Sequence, residues 1–554
     1  MMKIVIYQVF TRLYGNRNTT RTKNGSIEEN GCGKLADFTP TVLKQIREKG
    51  VTHVWYTGVI RHATQTDYSS YGIPRQHPAV VKGRAGSPYA ITDYYDIDPD
   101  LAVNVDKRME EFEKLVARTH RAGLKMIIDF VPNHVARQYK SVAKPKGVAD
   151  LGEDDDPSMG FSLQNNFYYC PGQSFAPHFD LYHGEKEPYC ETPAKATGND
   201  CFGNAPGQND WYETVKLNYG VDYYAGQTPS SLQLPSTTIP STWQKMLDIL
   251  LFWASKGIDG FRCDMAEMVP AAFWAWATTK VKEAYPEILF VGEVYNPGEY
   301  RHYLASGFDY LYDKVGMYDV MRDVICHRRG TDALTWAWQM NDDIASHMLY
   351  FLENHDEQRF ASDFFAANAQ KAVPALIANV LMQQNPFMLY AGQEYGEAGM
   401  DVEGFSGHDG RTTIFDYWSL DTLCRAAAKK LTNEEQALAD TYSRVLNIAI
   451  SEKAVGEGKS FDLTYVNAQH FRQYAFLRKA GHEVLFVVVN FDDRPVNCDV
   501  LIPAHAFDYF QMNEDNYTAV DLLTDEQHVL TFKRDGKVLV SIAKRSGVIL
   551  KFKV

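Results

Sequence analysis

Charged side chains directly follow short apolar runs at several places in this 554-residue chain. In the stretch "GIDGFRCDMAEM", Arg262 and Asp264 stand two positions apart at the end of such a run. Side chains two positions apart on a β-strand point to the same face, so the two charges are predicted to be neighbours. The guanidinium keeps its proton, favours the ionised form of a carboxylate beside it and orients that carboxylate. These are the requirements of a carboxylate nucleophile.

Three other apolar runs end in polar residues. These are "MIIDFVPNH", which carries Asp129, Asn133 and His134; "ILFVGEV", which carries Glu293; and "MLYFLENHDE", which carries Glu353, Asn354, His355 and Asp356. A single carboxylate at a strand end is commonly a helix N-cap, and that interpretation stays open for Asp129. Several buried charges at one place cost free energy unless they are paired or used. A second carboxyl about 5 Å from Asp264, in a less polar setting, could stay protonated and act as a general acid at a sugar carbon with retention of configuration. Glu293 suits that role.

Eight β-rich runs alternate with helical stretches over the first 450 residues or so, and they would position these side chains. The runs cover residues 4–10, 53–56, 125–130, 260–263, 288–291, 310–312, 348–352 and 387–390. Apolar residues recur at helical spacing over 243–256, and Gly257 is typical of a helix end. The alternation predicts an α/β fold, a parallel (β/α)₈ TIM barrel, whose reactive groups lie at the carboxyl ends of the strands.

Two regions depart from this alternation. Residues 135–242 are rich in Gly, Pro, Asn, Asp and Tyr, and they are predicted to form an inserted loop-rich subdomain after strand 3. Residues 460–554 alternate between apolar and polar positions, which predicts a C-terminal antiparallel β-sandwich domain. The barrel itself would comprise residues 1–134 and 243–459.

The motifs "DFVPNH", "GFRCD", "GEVYN" and "ENHDE", in this order, resemble the four short motifs of the α-amylase family, glycoside hydrolase family 13. The stretch "MLYAGQEYGE" near the eighth strand resembles a further family motif, and the resemblance extends over the whole chain. It implies a retaining glycosidase that cleaves α-linked glucans such as starch, or maltooligosaccharides, through a covalent glucosyl-aspartate intermediate.

The resemblance also implies roles for individual residues. Asp264 would be the nucleophile and Glu293 the proton donor, while Asp356 would bind sugar hydroxyls and favour the distorted ring of the transition state. Arg262 would hold Asp264, and Asp129 would support Arg262 from the neighbouring strand.

Three more residues would contact the glucose on the non-reducing side of the cleaved bond. By the resemblance, His134 and His355 would hydrogen-bond this sugar, and Tyr89 in "GSPYAITDYY" would stack on it. Glu267 departs from the family, because many amylases have at this position a lysine that reaches sugars on the leaving-group side. Its presence leaves the preference for long starch chains open.

No cofactor is required for this chemistry, but the resemblance leaves room for a structural calcium ion. In calcium-dependent members an asparagine that matches Asn133 is a side-chain ligand, and the residue at the position of Met268 supplies a backbone carbonyl. A purely structural hydrogen-bonding role for Asn133 is the alternative.

The amino-acid composition limits the classes of binding partner and cellular location that are expected. Lys and Arg number 56 against 70 Asp and Glu, which gives a net charge of −14, and no basic run is present, so nucleic acid is not an expected partner. No apolar segment reaches the length that crosses a membrane, and the N-terminal stretch lacks the features of a secretory signal. Eight scattered cysteines without a CxxC pair fit a cytoplasmic protein; a secreted or periplasmic one, with a leader that has been removed, is the alternative. The oligomeric state stays open.

Three other functions remain beside hydrolysis of α-glucans. A transglycosylase or isomerase would use the same covalent intermediate and pass the glycosyl group to a sugar. A catalytically inactive barrel would only bind sugar, although such proteins usually lack at least one of the three carboxylates. A metal-dependent hydrolase would need ligands that leave an open metal position at the mouth of the barrel.

Overall fold

The computed structural model describes residues 3–179, 187–233, 238–405 and 407–554. Eight parallel strands form a closed barrel in which β1 lies between β2 and β8, so the predicted TIM barrel is confirmed. The barrel strands are β1 (Val5–Phe10), β2 (His53–Thr57), β3 (Lys125–Phe130), β4 (Gly260–Cys263), β5 (Leu289–Gly292), β6 (Tyr310–Tyr312), β7 (Met348–Phe351) and β8 (Phe387–Tyr390).

Helices cover the outside of the barrel. The longer ones are Pro40–Glu48, Arg108–Arg121, Ser241–Ser255, Ala271–Ala284, Tyr300–Ala305, Asp319–Ile325, Asp332–Gln339, Ala372–Leu381, Asp421–Ala427 and Asn433–Ser451, with single turns at Thr11–Tyr14, Ile27–Asn30 and Lys453–Gly456. The helix predicted over 243–256 is Ser241–Ser255, and its side chains Trp243, Leu250 and Trp253 are buried. Gly257, with a φ of 84°, follows it in the left-handed conformation that glycine adopts without a steric penalty.

Two hydrophobic layers follow from the alternation of side chains along each strand. Outward-facing side chains pack with the helices in the main core, whereas inward-facing ones, among them Trp55, Ile127 and Val291, fill the inside of the barrel. Two positions further along the same strands, Asp129 and Glu293 follow Ile127 and Val291 on the inward face. The interior therefore changes from apolar to charged towards the carboxyl ends of the strands.

The long segment after β3 adds two short antiparallel pairs to the barrel. His134–Ala136 pairs with Thr214–Lys216, and Tyr169–Cys170 pairs with Ala194–Lys195. Residues 180–186 and 234–237 of the predicted insertion lie outside the described residues. A further pair, Ile60–His62 with Ile91–Ile97, which sequence analysis did not predict, follows β2.

The C-terminal region contains two antiparallel sheets that share one hydrophobic core. Its strands are β9 (Lys459–Asp462), β10 (Gln473–Ala480), β11 (Glu483–Asn490), β12 (Val496–Ile502), β13 (Asp515–Asp521), β14 (Gln527–Phe532), β15 (Gly536–Ile542) and β16 (Ser546–Lys553), with a helix at Ala504–Phe510. The larger sheet has the order β9-β10-β11-β16-β13-β14, and β12 pairs with β15. Apolar residues from both sheets form the core, as the alternating pattern predicts.

Candidate active site

Arg262 is at the centre of the charged layer inside the barrel. It is the register partner of Asp129 across β4 and β3, so both side chains point inward at the same level. Its Nη1 lies 2.7 Å from Asp264 Oδ1 and 3.7 Å from Asp129 Oδ1. The guanidinium carbon also lies 5.1 Å from the centre of the Trp55 ring, which supports it from below as a cation–π contact. The structure therefore brings Arg262, Asp264 and Asp129 together, as their strand positions suggest.

Glu293 contacts the same arginine. Its Oε2 lies 2.7 Å from Arg262 Nη2 and accepts a hydrogen bond of 2.8 Å from the backbone N–H of Met265. Its Oε1 accepts a hydrogen bond of 2.6 Å from the Tyr295 hydroxyl. Two hydrogen-bond donors and one ion-paired guanidinium thus surround this carboxyl. Its setting is more polar than the sequence suggested, because the planar guanidinium reaches two carboxylates at once.

A cavity of about 530 Å³ opens above this layer and contains Asp264, Glu293 and Asp356 in its wall. Its lining residues are Lys82, Ser87, Tyr89, His134, Trp211, Glu213, Thr214, Asp264, Met265, Glu293, Tyr295, Lys314, Val315, Asp356, Glu357, Ile414 and Phe415. Of the predicted site residues, Tyr89 and His134 belong to the lining, whereas Arg262, Asp129 and His355 lie behind it. One cavity thus brings together acids from three different strand ends.

Burial is the main influence on the pKa values of Asp264, Asp356 and Asp129. Burial and the charges of Glu293 and Asp356 raise the pKa of Asp264 well above its ordinary value, although Arg262 opposes the shift. Burial and the charge of Glu293 raise the pKa of Asp356 to about 7, and burial raises the pKa of Asp129 to about 6. Arg262 favours the ionised form of Asp264, as the sequence predicts, but loss of hydration has the larger effect on the pKa of Asp264. One guanidinium faces several neighbouring carboxyls, so burial and mutual repulsion shift the titration of Asp264 and Asp356 to higher pH.

His355 lies behind Tyr89 and orients it. Gln8 Nε2 donates to His355 Nδ1 at 2.8 Å, which leaves the ring proton on Nε2. That nitrogen lies 2.5 Å from the Tyr89 hydroxyl oxygen and 3.1 Å from Asp356 Oδ2. The Tyr89 and His355 rings stack with 5.3 Å between their centres, and burial together with Arg262 lowers the pKa of His355, which keeps it neutral. In this structure the histidine is therefore a positioning partner of Tyr89 and Asp356.

The surroundings of Asn133, predicted as a calcium ligand, do not fit a metal ion. Its side-chain oxygen accepts a hydrogen bond of 2.6 Å from the buried ammonium group of Lys216, and its amide nitrogen donates to the carbonyl of Gly198. Lys216 Nζ also lies 2.6 Å from Asp200 Oδ1. A cation already takes the oxygen that calcium would need, and two cations at this place would repel each other. Asn133 is thus a structural hydrogen-bonder here, and no cluster of His, Cys, Asp or Glu suited to a metal occurs in the part of the chain that the structure describes.

Several cavity residues were missed from the sequence. Lys82 and Tyr295 come from loops after β2 and β5, while Trp211 and Glu213 come from the inserted segment, where no periodic pattern indicates which side chains face the barrel. Their only sequence signal is proximity to a motif, as for Tyr295 in "GEVYN". Conversely, Glu353 of the "ENHDE" motif, noted in the sequence as a polar residue at a strand end, does not line the cavity and pairs with Arg359 at 3.0 Å.

Fold and site together define a barrel enzyme with paired carboxylates at the carboxyl ends of its strands. A family model described as "Alpha amylase, catalytic domain" matches residues 8–447, and the chain therefore belongs to the α-amylase family. The predicted family and the prediction of a glycosidase are confirmed.

The named relatives have low sequence identity to this chain but match it over much of its length. Alpha-amylase 3 of Dictyoglomus thermophilum is 23% identical over 430 residues, which cover 73% of this chain and 74% of the relative. Neopullulanase 2 of Thermoactinomyces vulgaris is 24% identical, but the match spans only 57% of that protein. Among solved structures, a maltogenic alpha-amylase AmyB from Thermotoga neapolitana superposes with a TM-score of 0.63 at 18% identity and covers 100% of this chain and 99% of its own. This last likeness concerns the fold.

None of the described helices has both the length and the apolar character needed to cross a membrane.

Proposed function

We propose that this protein is a retaining hydrolase of α-linked glucans or maltooligosaccharides. The observation that carries the proposal is that Asp264 and Glu293 each lie 2.7 Å from one guanidinium and, with Asp356, line a single cavity. This arrangement supports a mechanism in which one carboxylate attacks and another carboxyl donates a proton at the same glycosidic bond. The names of the relatives, which include amylases and a neopullulanase, support α-glucans as the substrate class.

In the proposed mechanism, an Asp264 oxygen attacks the anomeric carbon while Glu293 protonates the departing glycosidic oxygen. The bond to the leaving sugar breaks, and a glucosyl ester of Asp264 remains. Glu293, now ionised, takes a proton from water, whose oxygen attacks the same carbon and releases Asp264. The two inversions return the original α-configuration.

The stereochemistry of the first product tests this mechanism. Proton NMR of a maltooligosaccharide digest, recorded before mutarotation, is expected to show the α-anomer. Initial appearance of the β-anomer would contradict the Asp264 intermediate. Chromatography of the same digest separates hydrolysis from transfer, because products longer than the starting sugar indicate that sugar instead of water accepts the glucosyl group.

A further inference from the structure

The residues that line the cavity differ in burial from one side to the other. Its lining on the side of Tyr89 and His134 consists mainly of buried side chains, including Lys82 (8% exposed) and Glu213 (5% exposed). On the side of Glu293 the lining is half-exposed or exposed, with Val315 at 44%. If the sugar on the non-reducing side of the cleaved bond lies beside Tyr89 and His134, the glucan can extend out of the cavity on the Glu293 side. On the other side, buried side chains form a wall that blocks its extension.

A buried pair of opposite charges forms part of that wall. Lys82 Nζ lies 3.0 Å from Glu213 Oε2, and the ammonium group also donates to the carbonyl of Asp210 at 3.4 Å and lies over the ring of Tyr212. Oε2 of Glu213 accepts no hydrogen bond of good geometry from any residue that the structure describes. The ammonium group balances the charge of this oxygen, and the oxygen can still accept a hydrogen bond from a ligand.

Three segments hold the pair in place. Glu213 directly precedes the strand Thr214–Lys216, and its carbonyl accepts a hydrogen bond of 2.9 Å from the N–H of Arg137. The loop that carries Lys82 is bound to the segment after β8, because the N–H of Ala85 donates to the carbonyl of Phe415 at 3.0 Å. Trp211 packs against His134, with 5.2 Å between the ring centres. The wall is thus anchored to both the inserted segment and the barrel.

We propose that Lys82 and Glu213 bind hydroxyl groups of a terminal, non-reducing glucose unit, so that the enzyme attacks its chains from that end. This inference rests on the proposed function and specifies its substrate. Sugar hydroxyls both donate and accept hydrogen bonds, so one hydroxyl can donate to Glu213 while another accepts from Lys82. Extension of the glucan past this point would require the buried pair to separate, which leaves two buried charges without partners.

The first experiment compares two substrates with the unmodified protein. One is a nitrophenyl maltooligosaccharide with a free non-reducing end, and the other carries an ethylidene group across the terminal O4 and O6. The free-ended substrate should be cleaved at least about 100-fold faster, with glucose as the first product, because a pocket built for hydroxyls rejects a capped one. Equal rates with internal cleavage would overturn the inference and leave the proposed function intact. Failure to cleave either substrate would overturn both.

The second experiment changes the pair itself. Lys82→Met and Glu213→Gln should each raise KM for the free-ended substrate by about 10- to 100-fold, as expected for the loss of a hydrogen bond to a charged group, with a smaller change in kcat. Lys144→Met is the matched control, because Lys144 pairs with Glu153 at 2.8 Å on the surface of the same inserted segment, and its KM should not change. The double variant K82A/E213A should gain cleavage of the blocked substrate. Unchanged KM in folded variants would overturn the inference, and the substrate comparison decides it if the variants do not fold.

Discussion

Arg262 Nη2 lies 2.7 Å from Glu293 Oε2, while Nη1 of the same guanidinium lies 2.7 Å from Asp264 Oδ1. The proposed acid and the proposed nucleophile are therefore held at a set separation by one rigid, planar group. A lysine would offer a single point charge on a flexible stem and would hold one carboxylate at a time. The geometry of the pair thus depends on the shape of the arginine as much as on its charge.

Loss of the guanidinium shape should therefore reduce turnover. We expect Arg262→Lys to lower kcat by about 100-fold, because lysine keeps the positive charge but does not hold both carboxylates in position. Arg359→Lys provides a control, because Arg359 is a buried arginine paired with Glu353 outside the cavity. It should lower the melting temperature with little effect on kcat. Similar kcat values for the two variants would contradict the positioning role of Arg262.

The two proposed catalytic carboxyls should differ in how they respond to the leaving group. Asp264→Asn and Glu293→Gln should each lower turnover of a maltooligosaccharide by about 10³-fold or more, because each removes a group that acts in the transition state. With α-glucosyl fluoride, whose leaving group needs no proton, Glu293→Gln should recover much of its glycosylation rate, as a stopped-flow burst of fluoride would show. Asp264→Asn should recover none. Equal recovery in both variants would show that the roles are assigned wrongly.

Asp129 should make the stability of the protein depend on pH. Burial raises its pKa to about 6 from the ordinary value of 3.8, so the folded state binds a proton more tightly than the unfolded state. Its contribution to stability is complete below about pH 4 and is lost as pH rises through about 6, by at most about 3 kcal/mol. Thermal unfolding at several pH values should therefore show the wild type losing stability relative to Asp129→Asn between pH 4 and 7. A constant or opposite difference would contradict this account of the buried charge.

Because of Lys216, the thermal stability of the region around Asn133 should not depend on calcium. Neither a chelator nor added calcium should change the melting temperature of the unmodified protein, because the ammonium group already occupies the side-chain oxygen of Asn133. Lys216→Met should lower the free energy of unfolding by about 1–3 kcal/mol, since that buried oxygen loses its donor. Calcium-dependent unfolding of the wild type, measured by differential scanning calorimetry, would contradict this interpretation.

The barrel was predictable because buried parallel strands are nearly continuous apolar runs of characteristic length. All eight predicted strands occur, and their ends differ from the observed ones by no more than one residue. The positions of Asp129, Arg262, Asp264 and Glu293 at one end of the barrel followed from the same reasoning, because strand direction and the two-residue alternation decide which side chains point inward.

The chemical environment of these residues required the tertiary structure. That Arg262 binds Glu293 as well as Asp264, and that Lys216 stands beside Asn133, depends on distances between segments far apart in the chain. The same holds for Lys82 and Glu213, which come from two loops without any periodic pattern.

The amino-acid sequence by itself determined the barrel, its family and the inventory of reactive groups, because these depend on local pattern and short motifs. Only the tertiary structure decided which carboxyls contact the same guanidinium and which ionisable groups are shielded from water. It also decided which part of the cavity is lined by buried side chains. Hydration and Coulomb energies depend on separations in space, and loop segments carry no local signal that predicts them.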